Sequence, residues 1–389
     1  MYSGKHLFGE DGVFTEMLQA IVNSCLEGEV ISHIQEEKLS GKENRRNGLK
    51  TKTLRTESGP IEIKTPRDRA GSYEPLLVKP WERELNTGVN ELVKRLYARG
   101  QSISDVRYQL KELYGLELSS GTISAITEQV WGTITTWQSR GLKSCYPIIY
   151  LDGIYFTVKE EGKFIKKVFY TVYGVDAEGK RDLLGMYMRP SESSTNWGMI
   201  LEDLQSRGVE EVFFFCVDGL SGFSDAIRQV YPNAFVQRCI VHMIRNSVRF
   251  VSDKDIKRVC ADLRLIYTAS DLAAAQIALL AFKEKWDKKY PSISKKWEDN
   301  WTDLMAFMDF GKDIRRMVYT TNPVEALHRV IRKVTKSKGA WTNEKALLKQ
   351  VFMALEYNEK SWKRSAHGWK SIQKELAQRF GERFLKHLN

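Results

Sequence analysis

The sequence predicts an α/β core that begins near residue 146, with a helical region before it and further helices after it. Three observations support this prediction. Apolar residues recur at helical spacing before residue 140. Between residues 146 and 250, apolar runs and helical stretches follow the order β-β-β-α-β-α-β-α, and helical spacing returns after residue 251. At 389 residues the chain exceeds one ordinary core, so we expect two to four domains.

Composition excludes several classes of protein. Hydrophobic residues make up 42% and aromatic residues 11%, which excludes wholesale disorder. We find neither an apolar run long enough to span a membrane nor the charged-then-apolar start of a secretory signal. The five cysteines are odd in number and scattered, so we expect no disulfide framework and a cytoplasmic protein.

The N-terminal part divides into three predicted segments. Residues 1–45 are predicted to be helical, with apolar positions at Phe14, Met17, Leu18, Ile21 and Val22. Residues 46–82 are predicted to form a basic hairpin and linker, because charged residues after the turn signal at 57–60 alternate with Ile61, Ile63 and Thr65. Residues 83–140 are predicted to be a helical DNA-binding domain.

That third segment is predicted to hold three helices. The second helix starts at a capping box formed by Ser102 and Asp105, and its apolar stripe comprises Ile103, Val106, Leu110 and Leu113. The third opens at Ser119 or Ser120 and exposes Ser120, Thr122, Ser124 and Glu128. Two short helices joined by a tight turn are typical of a DNA-binding helix-turn-helix, although an ordinary helical hairpin gives the same pattern.

Two aspartates are candidates for chemistry. Asp152 and Asp218 each follow an apolar run that is predicted to be a strand, and each precedes a glycine, Gly153 or Gly219. Functional groups gather at the carboxyl ends of strands in α/β sheets, and a glycine there leaves room for a metal or a phosphate. The alternative is an aspartate that only turns the chain at the end of a strand.

Glu325 is the third candidate, and it also has a purely structural interpretation. Asn322 suits an N-cap, Pro323 suits the first helical position, and Glu325 then completes a capping box. The predicted helix has an apolar face of Val324, Leu327, Ile331 and Val334. Its other face carries Glu325 ahead of basic residues at Arg329, Arg332 and Lys336. That face suits a metal site turned toward phosphates, but a solvated face with an i,i+4 Glu–Arg pair would look the same.

Other chemistries fit less well. Cys239 and His242 form a C-x2-H pair, but zinc needs four ligands and no second pair has suitable spacing. A haloacid-dehalogenase-like phosphatase needs a second aspartate where Ile154 stands. We find no phosphate-binding P-loop, no dinucleotide-binding glycine motif and no serine nucleophile motif.

Positive charge is concentrated in three places. Residues 38–55 hold seven Lys and Arg against one acid, residues 329–338 hold five against none, and residues 359–389 hold eight against three. Each cluster alone is compatible with a solvated helix face. Three in a chain of formal net charge +11 favour a nucleic-acid partner.

Five fragments, in this order, carry a family resemblance. They are Thr65 to Arg69 (TPRDR), Tyr150 to Gly153 (YLDG), Val217 to Gly222 (VDGLSG), Gln237 to His242 (QRCIVH) and Thr320 to Glu325 (TTNPVE). With them, nearly the whole chain resembles bacterial insertion-sequence transposases of the Mutator-like superfamily. The resemblance implies a ribonuclease-H-like core, a mixed sheet flanked by helices, formed by residues 146–250 and 320–389. An all-helical insertion would occupy residues 251–319.

The resemblance also implies the site and its reaction. Asp152, Asp218 and Glu325 would be catalytic and would bind two Mg²⁺ ions, for which Mn²⁺ could substitute. Cys239 and His242 would lie near the active site. Water would cleave a phosphodiester at the element's end, and the freed 3′-hydroxyl would attack another strand.

The expected partners are double-stranded DNA, as terminal inverted repeats and target, and at least a second copy of the chain, with no membrane and with a location at the nucleoid. We expect DNA contacts from Arg45, Arg46, Lys52, Arg67, Arg69, Ser120, Thr122, Ser124, Arg329, Arg332, Lys333 and Lys336. Two alternatives remain open: a catalytically inactive DNA-binding protein of transposase descent, and a structure-selective nuclease.

Overall fold

The structure is a computed structural model that describes residues 12–56, 59–84, 88–114, 117–191, 193–218, 222–319, 322–363 and 366–388. The chain forms two compact units, Met1–Thr133 and Ile134–Asn389. Within the described ranges no helix has the length and apolar character needed to cross a membrane. All five cysteines fall in these ranges, and no disulfide joins any two of them.

The first unit begins with a helix followed by a two-stranded hairpin, as predicted. The elements are α1 (Val13–Leu39), β1 (Arg46–Thr56) and β2 (Gly59–Asp68). The two strands pair antiparallel, and α1 packs against β2. The shared core comprises Val22, Leu26, Leu54, Ile61, Ile63 and Val78. The predicted apolar stripe of α1 is only partly correct, because the helix turns Val22 and Leu26 toward β2 and leaves Phe14, Met17 and Ile21 exposed.

Helices follow the hairpin along the chain. Four helices replace the three predicted: α2 (Gly88–Ala98), α3 (Ile103–Tyr114), α4 (Ser120–Glu128) and α5 (Val130–Gln138). The predicted capping box is confirmed, because the Asp105 N–H donates to the Ser102 hydroxyl and the Asp105 carboxylate accepts from the Ser102 N–H. Ser119 caps α4 by accepting from the Thr122 N–H at 3.0 Å. Helices α2 to α4 share a core of Val89, Val93, Val106, Leu110, Leu118, Ile123 and Ile126, whereas Leu113 is exposed.

A five-stranded mixed sheet forms the second unit's centre. Its strands are β3 (Ile148–Glu160), β4 (Lys163–Val175), β5 (Arg181–Arg189), β6 (Phe214–Val217) and β7 (Phe235–Arg238). The spatial order is β5-β4-β3-β6-β7, in which β3, β4 and β5 pair antiparallel and β3, β6 and β7 pair parallel. Helices α6 (Ser194–Ser206) and α7 (Phe223–Val230) join the later strands, so the order of elements is as predicted.

Strand β3 is much longer than the four-residue apolar run that predicted it. Beyond Asp152 it continues to Glu160, paired with β4 throughout. A two-residue loop of Glu161 and Gly162, both with positive φ, then reverses the chain. Such tight loops match the twist of antiparallel strands and hold a hairpin in register. The apolar run covers only the first four residues of β3, Ile148–Leu151, because only these also pair with β6 in the sheet's interior.

Helices make up the remainder of the second unit. After the sheet come α8 (Ile240–Val248), α9 (Asp253–Tyr267), α10 (Leu272–Trp286), α11 (Pro291–Asp299), α12 (Trp301–Met305), a 3-10 helix (Ala306–Asp309) and α13 (Lys312–Val318). The chain ends with α14 (Asn322–Thr335), α15 (Glu344–Tyr357), α16 (Glu359–Trp362), α17 (Trp369–Phe380) and α18 (Glu382–Leu385). Two apolar residues of α10, Ile277 and Leu280, are exposed.

The basic C-terminal segment is folded against the core. The Trp369 indole N–H donates to the Ala177 carbonyl at 3.0 Å, and the Ala366 N–H donates to the Gly179 carbonyl at 2.8 Å. Gly179 has φ +80°, and a Cβ placed there would lie 2.3 Å from the Trp369 ring. Gly179 therefore lets the turn between β4 and β5 receive the start of α17.

We predict that Gly179→Ala lowers the free energy of unfolding by about 2 kcal/mol or more, because alanine is strained at positive φ and also overlaps the indole. Chemical denaturation followed by tryptophan fluorescence measures the loss. Gly198→Ala is the control, since Gly198 lies in α6 with nothing within 4 Å of an added Cβ. It is expected to be neutral or stabilising by up to about 1 kcal/mol. Equal stability of the two variants would contradict the prediction.

Candidate active site

The register of two parallel strands brings Asp152 and Asp218 together. Leu151 of β3 pairs with Val217 of β6, and Asp152 and Asp218 are the residues that directly follow this pair along the chain. Neighbouring strands lie about 4.8 Å apart, so the two aspartates emerge side by side where the parallel pairing ends. The prediction that Asp152 ends its strand is wrong. It lies inside β3, at the first position beyond the pairing of that strand with β6.

Gly153 serves the packing on the other face of the sheet. A Cβ at this position would lie 2.9 Å from Val168 Cγ2 and 3.1 Å from the Tyr170 ring. Successive residues of a strand point to opposite faces. The glycine thus makes room for core side chains rather than for a metal or a phosphate, which corrects the expectation from sequence. Gly219 lies outside the described residues.

Asp152 is buried and held at both carboxylate oxygens. Its Oδ1 accepts from the Gly153 N–H at 2.8 Å, and its Oδ2 lies 3.2 Å from Nδ1 of His328 on α14. Burial alone raises the pKa of this carboxyl. The hydrogen bond and charge of His328, the charge of His242 and the Gly153 N–H together bring the pKa below its ordinary value. Asp152 is therefore ionised at neutral pH, as a cation ligand must be.

Asp218 faces the start of α8. His242 Nδ1 lies 3.3 Å from Asp218 Oδ1, although the two atoms are not aligned for a hydrogen bond. Cys239 is the N-cap residue of α8, and its side chain hydrogen-bonds His242 one turn later. That hydrogen bond raises the pKa of His242 against the effect of burial, and the charges of Cys239, Asp218 and Asp152 add to the rise. The C-x2-H pair therefore adjoins both aspartates.

Glu325 lies in the first turn of α14 and faces α8. Its Oε1 is 3.1 Å from Arg245 Nη2, so its ion-pair partner is Arg245 on another helix, where the sequence had suggested Arg329. The predicted capping box involves the Asn322 side chain, which lies outside the described part of the chain. The predicted apolar face of α14 is confirmed, with Val324, Leu327, Ile331 and Val334 buried.

Three residues that contact the carboxylates or their partners were not predicted from the sequence: His328, Thr171 and Arg245. His328 contacts Asp152, and Thr171 hydrogen-bonds His328, with 2.9 Å between Thr171 Oγ1 and His328 Nε2. Arg245 pairs with Glu325. Only His328 left a signal in the sequence, because it lies one residue after Leu327 and four after Val324, on the side of the helix predicted to be buried.

The three carboxylates fit divalent cations, as their oxygens are the ligands that Mg²⁺ prefers. They do not all approach within 4.8 Å of one another. Two cations about 4 Å apart, with ligands near 2.1 Å, can be shared by carboxylates up to about 8 Å apart. Asp152 is held rigidly, while the Asp218 and Glu325 side chains are 30% and 31% exposed and can adjust. By their chemistry the three carboxylates therefore suit a divalent cation.

A tighter cluster in the first unit has a structural role. His33, Glu37 and Asp68 place one ligand atom each within 4.8 Å of the others, and no second trio in the described ranges does so. Asp68 already accepts from the Asn44 amide, from the Ser72 N–H and hydroxyl, and from the Tyr73 N–H. Hydrogen bonds thus occupy its oxygens, and the cluster fastens the base of the hairpin to α1.

The predicted DNA-contacting residues of the first unit differ in their surroundings. Arg45, Arg67 and Arg69 are exposed, and Arg45 and Arg69 line a cavity of about 830 Å³ at the base of the hairpin. Arg46 pairs with Glu27. The Lys52 ammonium donates to three backbone carbonyls, those of residues 79, 80 and 82. Ser120 and Ser124 are exposed on α4, and Thr122 is half-buried.

In the second unit, α14 combines a carboxylate with a basic face. Beyond Glu325, α14 exposes Arg329, Arg332 and Lys333, and Lys336 is exposed directly after the helix ends at Thr335. Hard oxygen ligands beside such a face form a site that can act on phosphate esters.

Comparison with known proteins places the chain in a family. Among solved structures, the Drosophila P element transposase strand transfer complex is similar, with 11% identity, a TM-score of 0.31 and coverage of 75% of this chain and 85% of that one. A probable transposase for insertion sequence element ISRM3-like from Sinorhizobium fredii is 37% identical over 380 residues, 97% of this chain and 95% of the relative. The transposase for IS905 from Lactococcus lactis is 30% identical, with 92% of each chain covered. A family profile, "Transposase, Mutator family", matches residues 2–365. The chain belongs to the Mutator family of transposases.

Proposed function

We propose that this transposase cleaves DNA at the ends of its insertion sequence and joins the freed 3′-ends to target DNA, with Asp152, Asp218 and Glu325 as the acidic residues of one site. The observation that carries the proposal is the register of β3 with β6, which sets the two aspartates side by side. The packing of α14 against β3 supports the third member, since that helix carries Glu325. Strand order β5-β4-β3-β6-β7 suits a ribonuclease-H-like core.

Two Mg²⁺ ions bound by these carboxylates would activate the attacking oxygen and stabilise the leaving oxygen of an in-line displacement at phosphorus. The chain's own residues have separate tasks. Asp152 is held in one orientation by His328 and Gly153. Arg245 is positioned to orient the Glu325 carboxylate through their ion pair. The exposed basic residues of α14 would bind the phosphates on either side of the scissile bond.

The first unit would recognise the element's ends. Its hairpin presents Arg67 and Arg69, whose charges suit phosphates, and α4 presents Ser120 and Ser124, which suit base edges in a major groove. In this proposal α3 and α4 form a helix-turn-helix. Helices α9 to α13 would be the insertion between the two parts of the catalytic core. Because two DNA ends must be joined in one reaction, the active form would hold at least two copies of the chain.

A fragment of residues 1–140 is expected to bind element-end DNA in preference to random duplex, since this region contains the hairpin and α4 with their own cores. Affinity should fall steeply with salt, because bound phosphates release counterions. In the fragment, Arg67→Ala and Arg69→Ala should weaken binding to all duplexes, each reducing the salt slope by about one. Ser120→Ala and Ser124→Ala should instead reduce the preference for end DNA.

Fluorescence anisotropy at several salt concentrations measures these effects. Arg95→Ala is the charge-matched control, because Arg95 is exposed on α2 and paired with Glu91. It should leave both affinity and preference near those of the parent fragment. A fragment that binds random duplex as well as end DNA would refute the assignment of end recognition to this unit.

A further inference from the structure

His328 forms a buried triangle with Asp152 and Thr171 between a helix and the sheet, and its ring contacts both of these residues. His328 is 1% exposed, Asp152 7% and Thr171 0%. The His328 ring lies between them, with Nδ1 3.2 Å from Asp152 Oδ2 and Nε2 2.9 Å from Thr171 Oγ1. Asp152 and Thr171 are direct cross-strand partners on β3 and β4. One ring thus bridges two neighbouring strands and α14.

The donors and acceptors of this triangle can be assigned. An ionised carboxylate only accepts, so the proton between His328 and Asp152 belongs to Nδ1. When Nδ1 holds the ring's one proton, Nε2 accepts and the Thr171 hydroxyl donates to it. Turning the ring over would place carbon atoms against both partners. Thr171 therefore fixes the ring in the orientation that serves Asp152.

The same ring also fixes α14. Glu325 and His328 are three residues apart, so both lie on neighbouring parts of the helix surface. If α14 turned about its axis or slid along β3, the contact between His328 and Asp152 would break. A buried histidine is costly without hydrogen bonds, and packing alone would be served as well by an apolar residue. The polar contact therefore serves the geometry of the carboxylates.

We propose that His328, with its ring set by Thr171, is the positioning residue that fixes the Asp152 carboxylate and holds Glu325 in register with it. This inference rests on the proposed function, in which Asp152 and Glu325 share bound cations. Partners that orient a metal-ligating side chain typically change metal affinity or activity about 10- to 100-fold when they are altered. The proposal predicts an effect of that size on both quantities.

Two substitutions at His328 separate the contact that Nδ1 makes with Asp152 from the contact that Nε2 makes with Thr171. In His328→Asn the side-chain amide nitrogen replaces Nδ1 and can still donate to Asp152. In His328→Gln the amide reaches the place of Nε2, so the contact with Thr171 is kept and the one with Asp152 is lost. Asparagine is the poorer helix former of the two. A purely structural role therefore predicts that His328→Gln performs better, whereas the positioning role predicts that His328→Asn does.

Full-length variants are compared in two measurements. In Mn²⁺ titrations followed by electron paramagnetic resonance without DNA, His328→Gln should bind about 10- to 100-fold more weakly than wild type, with His328→Asn much closer to wild type. Nicking of a labelled element end should follow the same order. Equal behaviour of the two variants, or the reverse order, would overturn the proposal.

A spectroscopic measurement on the metal-free protein tests the assignment directly. Nitrogen-15 spectra of histidine-labelled protein should show His328 protonated at Nδ1, and Thr171→Val should shift its Nε2 signal while the Nδ1 proton remains. A proton on Nε2 alone would overturn the proposal.

Thr171→Val also tests the proposal by metal binding if neither histidine variant folds. This nearly isosteric change should weaken Mn²⁺ binding several-fold, and wild-type affinity would count against the proposal.

Asp152→Asn in the same titration separates this inference from the proposed function. If it binds Mn²⁺ and nicks DNA like wild type, the acidic site itself is wrong. If it loses both while the Asn and Gln variants at His328 behave alike, the site stands and only the positioning role fails.

Discussion

Glu325→Gln is expected to abolish DNA nicking and joining while leaving the protein folded. Glutamine has nearly the same shape as glutamate but lacks the negative charge that a divalent cation requires. The interpretation of Glu325 as a capping residue predicts the opposite, because glutamine can make the same reach-back hydrogen bond in a capping box. The substitution therefore separates chemistry from helix stability at the position where the two interpretations compete most closely.

Stability should change little in this variant. Glu325 loses its ion pair with Arg245, but the side chains are 31% and 61% exposed, and such pairs contribute about 0–1 kcal/mol. For a unit of this size, that corresponds to a shift in melting temperature of at most about 4 °C. Calorimetry measures the shift, and incubation of a labelled element end and a target plasmid with Mg²⁺ measures the reaction.

Glu344→Gln is the matched control. Glu344 lies in the first turn of α15, as Glu325 does in α14, and it pairs with Lys167 at 2.6 Å. The same chemical change there should leave nicking and joining intact. A Glu325→Gln protein that nicks DNA like wild type would remove Glu325 from the site and leave two aspartates in need of another ligand.

Asp152→Asn and Asp218→Asn are each expected to abolish nicking of an intact end and joining of a pre-cut 3′-end together. Both steps are in-line displacements at phosphorus, so a single site can serve both. Loss of a metal ligand removes several kcal/mol of transition-state stabilisation, or on the order of 10³ in rate. Binding to end DNA should persist, because the first unit is unchanged.

The two variants should differ in stability. Asp152 is buried and accepts hydrogen bonds at both oxygens, so its replacement should cost about 1–3 kcal/mol, whereas Asp218 is partly exposed and its replacement should cost less. Asp225→Asn, a change at an exposed residue of α7, should affect neither activity nor stability. Normal joining of a pre-cut end by either active-site variant would refute a single site for both steps.

The same assays address the two alternative functions. Wild-type protein that binds element ends and never nicks them in Mg²⁺ or Mn²⁺ would indicate an inactive DNA-binding descendant of a transposase. Nicking of any branched DNA, with no preference for element ends, would indicate a structure-selective nuclease. Nicking confined to element ends, followed by joining to the plasmid, is the result that the proposed function predicts.

The sequence alone determined the elements and the candidate acids. Apolar runs and helical spacing predicted the order of strands and helices from residue 146 onward, because these patterns record which parts of each element are buried. It also predicted the buried face of α14, with Val324, Leu327, Ile331 and Val334. Asp152 and Asp218 stood out because each ended an apolar run, and Glu325 because it opened a helix with a basic side.

Only the tertiary structure decided how these residues meet. The side-by-side placement of Asp152 and Asp218 depends on the pairing of Leu151 with Val217, and a register between distant strands is set by packing across the whole sheet. The same packing places Thr171 opposite Asp152 and brings the His328 ring of α14 into contact with both. It also pairs Glu325 with Arg245 of α8. Periodicity cannot predict such contacts, because it reports which face of an element is buried and not which partner covers it.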